Sequence, residues 1–358
     1  MSSVDAVLPD GIDDPARPSG GNTYDRRVCD GLDTLGWAVH EHTVAGFWEQ
    51  PDEASFAALE EIVRRIPDDS VVLLDGLIAS TASEVLVPQA RRLRLVVLVH
   101  MPLGHRPAGD GAAAAGSRER EVLAAAAAVV TTSAWTRRRL IELYALPAER
   151  LFVAEPGVDA VSGAALAPGT TDGGALLCVA AVTREKGHDL LLEALAMNAD
   201  LSWDCVCVGR LDRDPGFVEA MRHRERDPGL QDRGHRTGPR TGAALQRSYA
   251  AADLLVLASR AETYGMVITE AFAHGLPVLA ADVGGVTEAV GYSGGPVRPG
   301  WLVAPGDAAA LGAALRAWLK DASVRECRRQ AVRARRASLP AWASTASAIA
   351  AVLTAAAR

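Results

Sequence analysis

Two glutamates, Glu262 and Glu270, stand with seven residues between them in the stretch ASRAETYGMVITEAFAHGLPVLAADVGGVTE at 258–288. The pair Tyr264-Gly265 between them makes a turn that leads into a helix, and Gly275-Leu276-Pro277 and Gly284-Gly285 follow. A glycine turn opening a helix presents backbone N–H groups, here those of Gly265, Met266 and Val267, beside the positive end of the helix dipole. That combination binds anions such as phosphates. Carboxylates on either side accept hydrogen bonds from sugar hydroxyls. Residue types and spacing together describe a site for a sugar carried on a diphosphate. The bland alternative is an amphipathic helix with a surface glutamate at each end.

Three further segments carry candidate chemistry. In AAVTREKGHDLLLEAL at 180–195, Arg184, Lys186 and Gly187 follow a strand and precede an apolar helix. Cations in such a loop suit a diphosphate, the arginine through forked hydrogen bonds and the lysine as a point charge; a solvated turn is the alternative. In RPSGGNTYDRRV at 17–28, Gly20 and Gly21 open a helix, read as capped by threonine, after the first strand, and let a ligand approach the backbone closely. In LVVLVHMPLGH at 95–105, His100 ends a strand, with His105 as its nearby competitor. As a lone residue, such a histidine is more often structural than chemical.

These residues need elements to position them. Short apolar runs at 4–8, 38–44, 71–74, 95–100, 128–132 and 152–155 alternate with helical patterns at 23–35, 54–66 and 134–144. After a Gly, Ala, Pro and Thr-rich stretch at 161–174, the expected linker, the alternation restarts with strands at 175–182, 203–208, 254–257 and 277–280. Helices are expected at 189–197, 216–224, 242–251 and 269–274. Strands alternating with helices imply parallel β-α-β units, so the fold class is α/β with two doubly wound, Rossmann-like domains, whose ligands bind beyond the carboxyl ends of the strands. The Arg-rich run RECRRQAVRARR at 325–336 reads as a solvated helix face.

The string ETYG, EAFAHGLPV, DVGGVTE, in that order, resembles the donor site of the retaining glycosyltransferases of family 4. That resemblance implies the GT-B fold: an acceptor-binding domain over 1–165, completed by a crossover helix near 340–358, and a nucleotide-sugar donor domain over 166–339, facing each other across a cleft. It implies transfer of a hexose-type sugar from a nucleoside diphosphate sugar, uridine diphosphate being the commonest nucleotide, to an acceptor hydroxyl with retention at the anomeric carbon. On it, Glu262 holds the donor sugar's hydroxyls and Glu270 the ribose. Lys186, with Arg184, and the Gly265, Met266 and Val267 amides beside Tyr264 take the diphosphate. Gly20 and Gly21 lie against the donor, and His100 contacts the sugar. EPGVD at 155–159 resembles the family's string before the interdomain linker. One departure stands out. Many members carry an arginine five positions before the lysine, where this chain has Ala181.

The resemblance also implies catalysis without a metal, so no metal and no cofactor are expected; the nucleotide sugar is the donor substrate. Asp212 and Asp214 form an Asp-x-Asp in a polar loop, a spacing too common to mark a metal site. Alternatives on the same fold are a nucleotide-sugar hydrolase or epimerase, or an inactive nucleotide-sugar-binding protein. A dehydrogenase is disfavoured, since no G-x-G-x-x-G follows the first strand.

Bulk properties bound the rest. A length of 358 residues suggests two domains, and 49% hydrophobic with 23% charged residues is ordinary for a globular protein. A net charge of −7 argues against a general nucleic-acid binder. No run is long and apolar enough for a transmembrane helix, and MSSVDAVLPD is no signal peptide. The cysteines, Cys29, Cys178, Cys205, Cys207 and Cys327, lack metal-ligand spacing and read as reduced core residues of a cytoplasmic protein. A small soluble acceptor and a lipid acceptor both fit. Arg137-Arg138-Arg139 reads as part of a solvated helix, with a patch for peripheral membrane contact to a lipid acceptor as its alternative.

Overall fold

The computed structural model describes residues 2–105, 112–161, 167–292 and 297–358. The chain forms two units. The first comprises Met1–Asp13, Ser19–Gly157 and Pro340–Arg358; the second comprises Asp14–Pro18 and Val158–Leu339. The change of unit thus falls after Gly157, earlier than the expected 165, and part of the expected linker, 162–166, lies outside the described residues.

The first unit holds strands β1 (Ser3–Pro9), β2 (Ala38–Val44), β3 (Val71–Asp75), β4 (Arg94–Val99), β5 (Ala128–Thr131) and β6 (Leu151–Val153). They form one parallel sheet in the order β2-β1-β3-β4-β5-β6. Valine and leucine fill β3 and β4 almost without interruption because helices cover both faces of the sheet. One covering layer combines the helices Gly20–Thr34 and Trp342–Ala356. Val28 and Leu32 of the former and Ile349, Val352 and Leu353 of the latter share a core with Leu73, Val96 and Leu98.

The second unit holds β7 (Ala175–Val179), β8 (Asp204–Val208), β9 (Gly234–Gly238), β10 (Leu254–Leu257), β11 (Val278–Ala281) and β12 (Gly300–Val303), in the parallel order β12-β11-β10-β7-β8-β9. Strands β9 and β12 have no counterpart in the sequence reading: GHRTG and GWLV are edge strands, too polar or too short to show an apolar run. In both sheets the chain builds outward on one side, returns, and builds on the other. The order reverses between β1 and β3, and again between β7 and β10. Loops leaving the carboxyl ends of the strands beside such a reversal diverge and leave a crevice for ligands.

Several local expectations are corrected. The strand expected at 175–182 ends at Val179, because Ala180 and Val182 leave the sheet while their amides still bond Val208 and Arg210 carbonyls. The helix expected from 23 begins at Gly20. Its cap is Ser19, whose hydroxyl accepts from the Asn22 amide at 3.0 Å, while Thr23 bonds back to the Ser19 carbonyl. Cys29, Cys178, Cys205 and Cys207 are buried, but Cys327 is exposed on the helix Ala322–Arg336.

That helix is not a solvated arginine face either. Arg325 is buried and donates to the carbonyls of Trp318, Leu319 and Thr171, and Arg328 stacks on Trp301 at 4.7 Å. Arg335 reaches the Val290 carbonyl, and Arg336 that of Val161. Charge spacing alone does not distinguish arginines that solvate a helix from arginines that fasten it. Arg137, expected on a solvated helix, likewise bonds the Leu151 and Ala148 carbonyls. No helix among the described residues is long and apolar enough to cross a membrane.

Candidate functional site

In the second unit, the loops after β7 and β10 flank the order reversal, and between them they carry the sequence's strongest candidates. They are fastened to each other. Gly187 sits at φ +67°, where a Cβ would overlap the Ala258 carbonyl, and the Arg260 amide donates to the Glu185 carbonyl at 2.7 Å. The Arg260 guanidinium forks onto Asp189 at 2.7 and 2.8 Å, which holds that carboxyl below its usual range. On this base Lys186 Nζ donates to Glu262 Oε1 at 2.8 Å, and Ser259 Oγ donates to the same oxygen at 3.0 Å. The lysine side chain is 24% exposed and the glutamate 11% exposed, so the pair is sheltered yet open to solvent on one side.

The glycine pair of DVGGVTE explains itself here. Gly284 lies at φ +59°, and a Cβ there would overlap the Glu262 carbonyl; one on Gly285 would overlap that of Thr263. The Gly285 amide instead donates to the Glu262 carbonyl at 3.1 Å. Two residues without side chains therefore set the height of the loop that holds Glu262. Gly265, at φ +93°, then opens the helix Met266–Ala273, and no side chain caps that opening. The expected helix start at 269 is thus three residues too late, which places the Met266 and Val267 amides in its first turn. The Tyr264 ring is buried in the core, so what this residue can offer a ligand is its main chain.

Glu270 lies on that helix and accepts a hydrogen bond from Tyr249 Oη at 2.6 Å. Burial raises its pKa, the Tyr249 bond opposes the rise, and Asp159 adds to it. Tyr249 stacks on His274 with ring centroids 5.0 Å apart, which fixes the hydroxyl's aim. Arg184 is exposed, its guanidinium 5.5 Å from the centre of the Phe217 ring. The Asp-x-Asp resolves into structural roles: Asp212 is gripped by Arg210 at 2.9 Å, and Asp214 caps the helix Pro215–Arg224. Cys178, Cys207 and His188, far apart in sequence, approach within 4.8 Å in the core. Cys178 Sγ and His188 Nε2 make a weak hydrogen-bond contact of 3.8 Å.

In the first unit, His100 follows β4 beside the reversal between β1 and β3. A Cβ on Gly21 would come 3.1 Å from its ring, so Gly21 and His100 are brought together, while Gly20 lies exposed at the helix start. His100 Nε2 lies 2.7 Å from Asp25 Oδ1 and 3.9 Å from Asp75 Oδ2, and the Tyr24 ring meets it edge-on at 5.2 Å. Burial lowers the His100 pKa, but the two carboxyls outweigh it and the net shift is upward. His105 takes another path. It packs edge-on against Trp135 at 5.0 Å, and burial beside Arg139 lowers its pKa. The start of the EPGVD segment, 155–157, is held within this unit, with Thr345 Oγ1 donating to the Glu155 carbonyl at 2.7 Å and Gly157 pressed against the Trp342 backbone, while Val158 and Asp159 belong to the second unit.

Comparison with known proteins bears on both units. Residues 18–161 match the profile described as Glycosyltransferase Family 4, and residues 173–321 that described as Glycosyl transferases group 1. The D-inositol 3-phosphate glycosyltransferase 1 of Catenulispora acidiphila is 31% identical over 303 residues, covering 75% of this chain and 69% of that protein. The chain belongs to glycosyltransferase family 4. A D-inositol 3-phosphate glycosyltransferase of Jonesia denitrificans is 30% identical over 57% of this chain, which spans only 51% of that relative. Among solved structures, sucrose-phosphate synthase of Thermosynechococcus elongatus superposes with TM-score 0.78 at 20% identity, over 99% of both chains. HepE of Anabaena, in complex with UDP-glucose, superposes with TM-score 0.75 at 18% identity, over 98% and 99%. Both are GT-B glycosyltransferases, and that is the fold of this family member.

Sequence reasoning missed Ser259, Tyr249, Asp25 and Asp75. Ser259 stands in the quoted string, but nothing in a serine's identity announces a carboxylate partner. Asp25 lies four residues after Gly21 on the same helix face. That signal was available, though it needs the partner strand to become meaningful.

Proposed function

We propose that this family 4 member is a retaining, metal-independent glycosyltransferase that moves a hexose from a UDP-sugar to an acceptor hydroxyl. The observation that carries the reading is the Lys186–Glu262 pair beside the uncapped helix start at Gly265. A cation and a helix N-terminus stabilise a departing diphosphate, and the adjacent carboxylate accepts sugar hydroxyls. In this mechanism Lys186, aided by Arg184 and the Gly265, Met266 and Val267 amides beside Tyr264, takes the charge that builds on the leaving group. Glu262 orients the sugar, and Glu270, held by Tyr249, binds the ribose. His100 contacts the donor sugar, with Gly20 and Gly21 lying against the donor. The leaving phosphate oxygen takes the acceptor's proton, so no separate general base and no cofactor is required.

The nucleotide rests on the family's commonest donor and on the UDP-glucose bound to the Anabaena neighbour. The first acceptor to try is D-inositol 3-phosphate, which the names of several relatives specify. The test is a thermal-shift panel of nucleoside diphosphates and their sugars, with and without chelator, followed by transfer assays with the best donor. A melting shift with UDP that chelator leaves unchanged, together with loss of transfer in Glu262→Ala, is the expected result. A shift that depends on a divalent ion, or undiminished transfer by Glu262→Ala, refutes it.

A further inference from the structure

Asp25, Asp75 and His100 form a sheltered cluster whose charges do not balance if both carboxyls are ionised. Each offers an atom within 4.8 Å of the other two, and both aspartates are buried. Asp25 Oδ1 accepts from His100 Nε2 at 2.7 Å, but Asp25 Oδ2 is buried without a hydrogen-bond partner among the described residues. Asp75 Oδ1 is committed to the Leu77 and Ile78 amides at 2.9 and 3.0 Å, where it caps the helix Gly76–Thr81. Its Oδ2 is turned toward His100 at 3.9 Å, too far for a hydrogen bond. Two ionised carboxylates this close, out of water, repel strongly, and one imidazolium compensates only one of them. An orphaned carboxylate oxygen is itself costly.

We propose that Asp75 and Asp25 share one proton, carried on Asp75 and donated to Asp25 Oδ2, so that the charged Asp25 is left to hold His100 by Nε2. The proton satisfies the orphaned oxygen, removes the repulsion and leaves a neutral set of imidazolium, carboxylate and carboxylic acid. The other titratable groups on this cluster are Tyr24, which packs on His100, and Cys29 on the same helix; burial and Asp25 keep both protonated. Burial first, then Asp25, pushes the Asp75 carboxyl up to about 7. A metal ion in the gap is disfavoured, since ring nitrogen and carboxylate oxygen 2.7 Å apart are already in direct hydrogen-bond contact. Asp25 is thus a positioning residue for His100, with Asp75 governing its charge; that part rests on the reading of His100 under the proposed function.

Asparagine at 75 tests the shared proton directly. Its oxygen keeps the helix cap and its NH₂ replaces the carboxyl O–H as donor to Asp25, but it does not titrate. A carboxyl whose folded pKa is raised contributes stability that is complete below its unfolded pKa and is lost as pH rises through the folded value. Melting temperature of the full chain should therefore fall between pH 5 and 8 more steeply in wild type than in Asp75→Asn. The infrared band of a buried carboxylic acid, present in wild type at pH 6, should be missing in the variant. Equal slopes for the two proteins, or a melting temperature of wild type that drops on treatment with chelator, overturns the proposal. Neither readout uses transferase activity, so this result and that of the transfer assay are independent. The positioning role is read separately: Asp25→Asn should lower kcat and shift the pH profile of transfer while leaving nucleotide affinity within about twofold. An unshifted profile overturns that role.

Discussion

The sheltered Lys186–Glu262 pair makes a prediction with two opposite signs. If Lys186 neutralises a diphosphate, then in the unliganded protein its charge is partly spent on Glu262, 2.8 Å away. Lys186→Met removes a charge-assisted hydrogen bond to the ligand, worth about 1.5–3 kcal/mol, which weakens nucleoside diphosphate binding about 10- to 150-fold. Glu262→Gln removes the competitor while preserving shape and the bond from Ser259. A part-exposed ion pair contributes about 1 kcal/mol at most, so freeing the lysine should tighten binding of the same ligand by up to about fivefold. The sugar-free nucleotide is the right probe, because it isolates the lysine from the contact with sugar hydroxyls proposed for the glutamate. Isothermal titration with UDP at low and moderate salt reads both affinities. The double variant should bind as weakly as Lys186→Met alone, since the gain from Glu262→Gln exists only through the lysine. Weakening in both single variants would show that Lys186 is a structural partner of Glu262 and not the diphosphate's cation, and a double variant whose effects simply add would show that the gain from Glu262→Gln does not run through the lysine.

Three further outcomes follow from packing and charge. Gly284→Ala forces a Cβ into the Glu262 carbonyl at a positive φ, so thermal unfolding should show a loss of roughly 2 kcal/mol or more, with nucleotide binding lost alongside. Arg325→Met leaves the carbonyls of Trp318, Leu319 and Thr171 without their donor and should cost about 2–4 kcal/mol in urea unfolding, whereas Arg333→Met, at an exposed position, should change stability by less than about 0.5 kcal/mol. Glu270 has a folded pKa raised by burial, so its protonated form is favoured by folding. That contribution is complete below the unfolded value of 4.5 and lost as pH climbs through the folded one. Glu270→Gln, which still accepts from Tyr249, should therefore gain melting temperature relative to wild type as pH rises from 4.5 to 8.

What the sequence disclosed follows a physical division. The parallel strands were legible because burial on both faces demands uninterrupted Val and Leu runs, as in VVLLD and RLVVLV. The edge strands were not, because one side of an edge strand is less tightly enclosed, and GHRTG carries no apolar signal. The loop around Glu262 was legible because its backbone requires glycine at 265 and 284, positions with positive φ that few other residues adopt. The partners of the candidate residues were hidden. Ser259, Tyr249, Asp25 and Asp75 act through contacts made by the fold, and local pattern does not encode them. The arginine run failed for the same reason, since Arg325 and Arg333 look alike in sequence yet one is buried against carbonyls and the other is exposed.

Ala181 gives the sharpest test of how far the family likeness reaches. The resemblance places an arginine five residues before Lys186, and this chain has none there. Two structural facts bear on what was lost. The backbone at 180–182 keeps its bonds to the end of β8 and the loop after it, Ala180 N to Val208 O and Val182 N to Arg210 O, both 2.9 Å, so the segment is held in place without the side chain. The nearest arginine along that loop, Arg210, is bound bidentately by Asp212, which neutralises it. On the proposed function, the diphosphate charge then falls to Lys186, Arg184 and the helix start alone, and affinity should be low but not absent. Ala181→Arg should restore one forked contact, worth about 1.5 kcal/mol, and tighten UDP binding about tenfold. The gain should shrink as salt rises, because an added surface charge is screened. An unchanged affinity at low salt would mean that a group other than the missing arginine already fills its place, and Arg210 freed by Asp212→Asn would be the next variant to titrate.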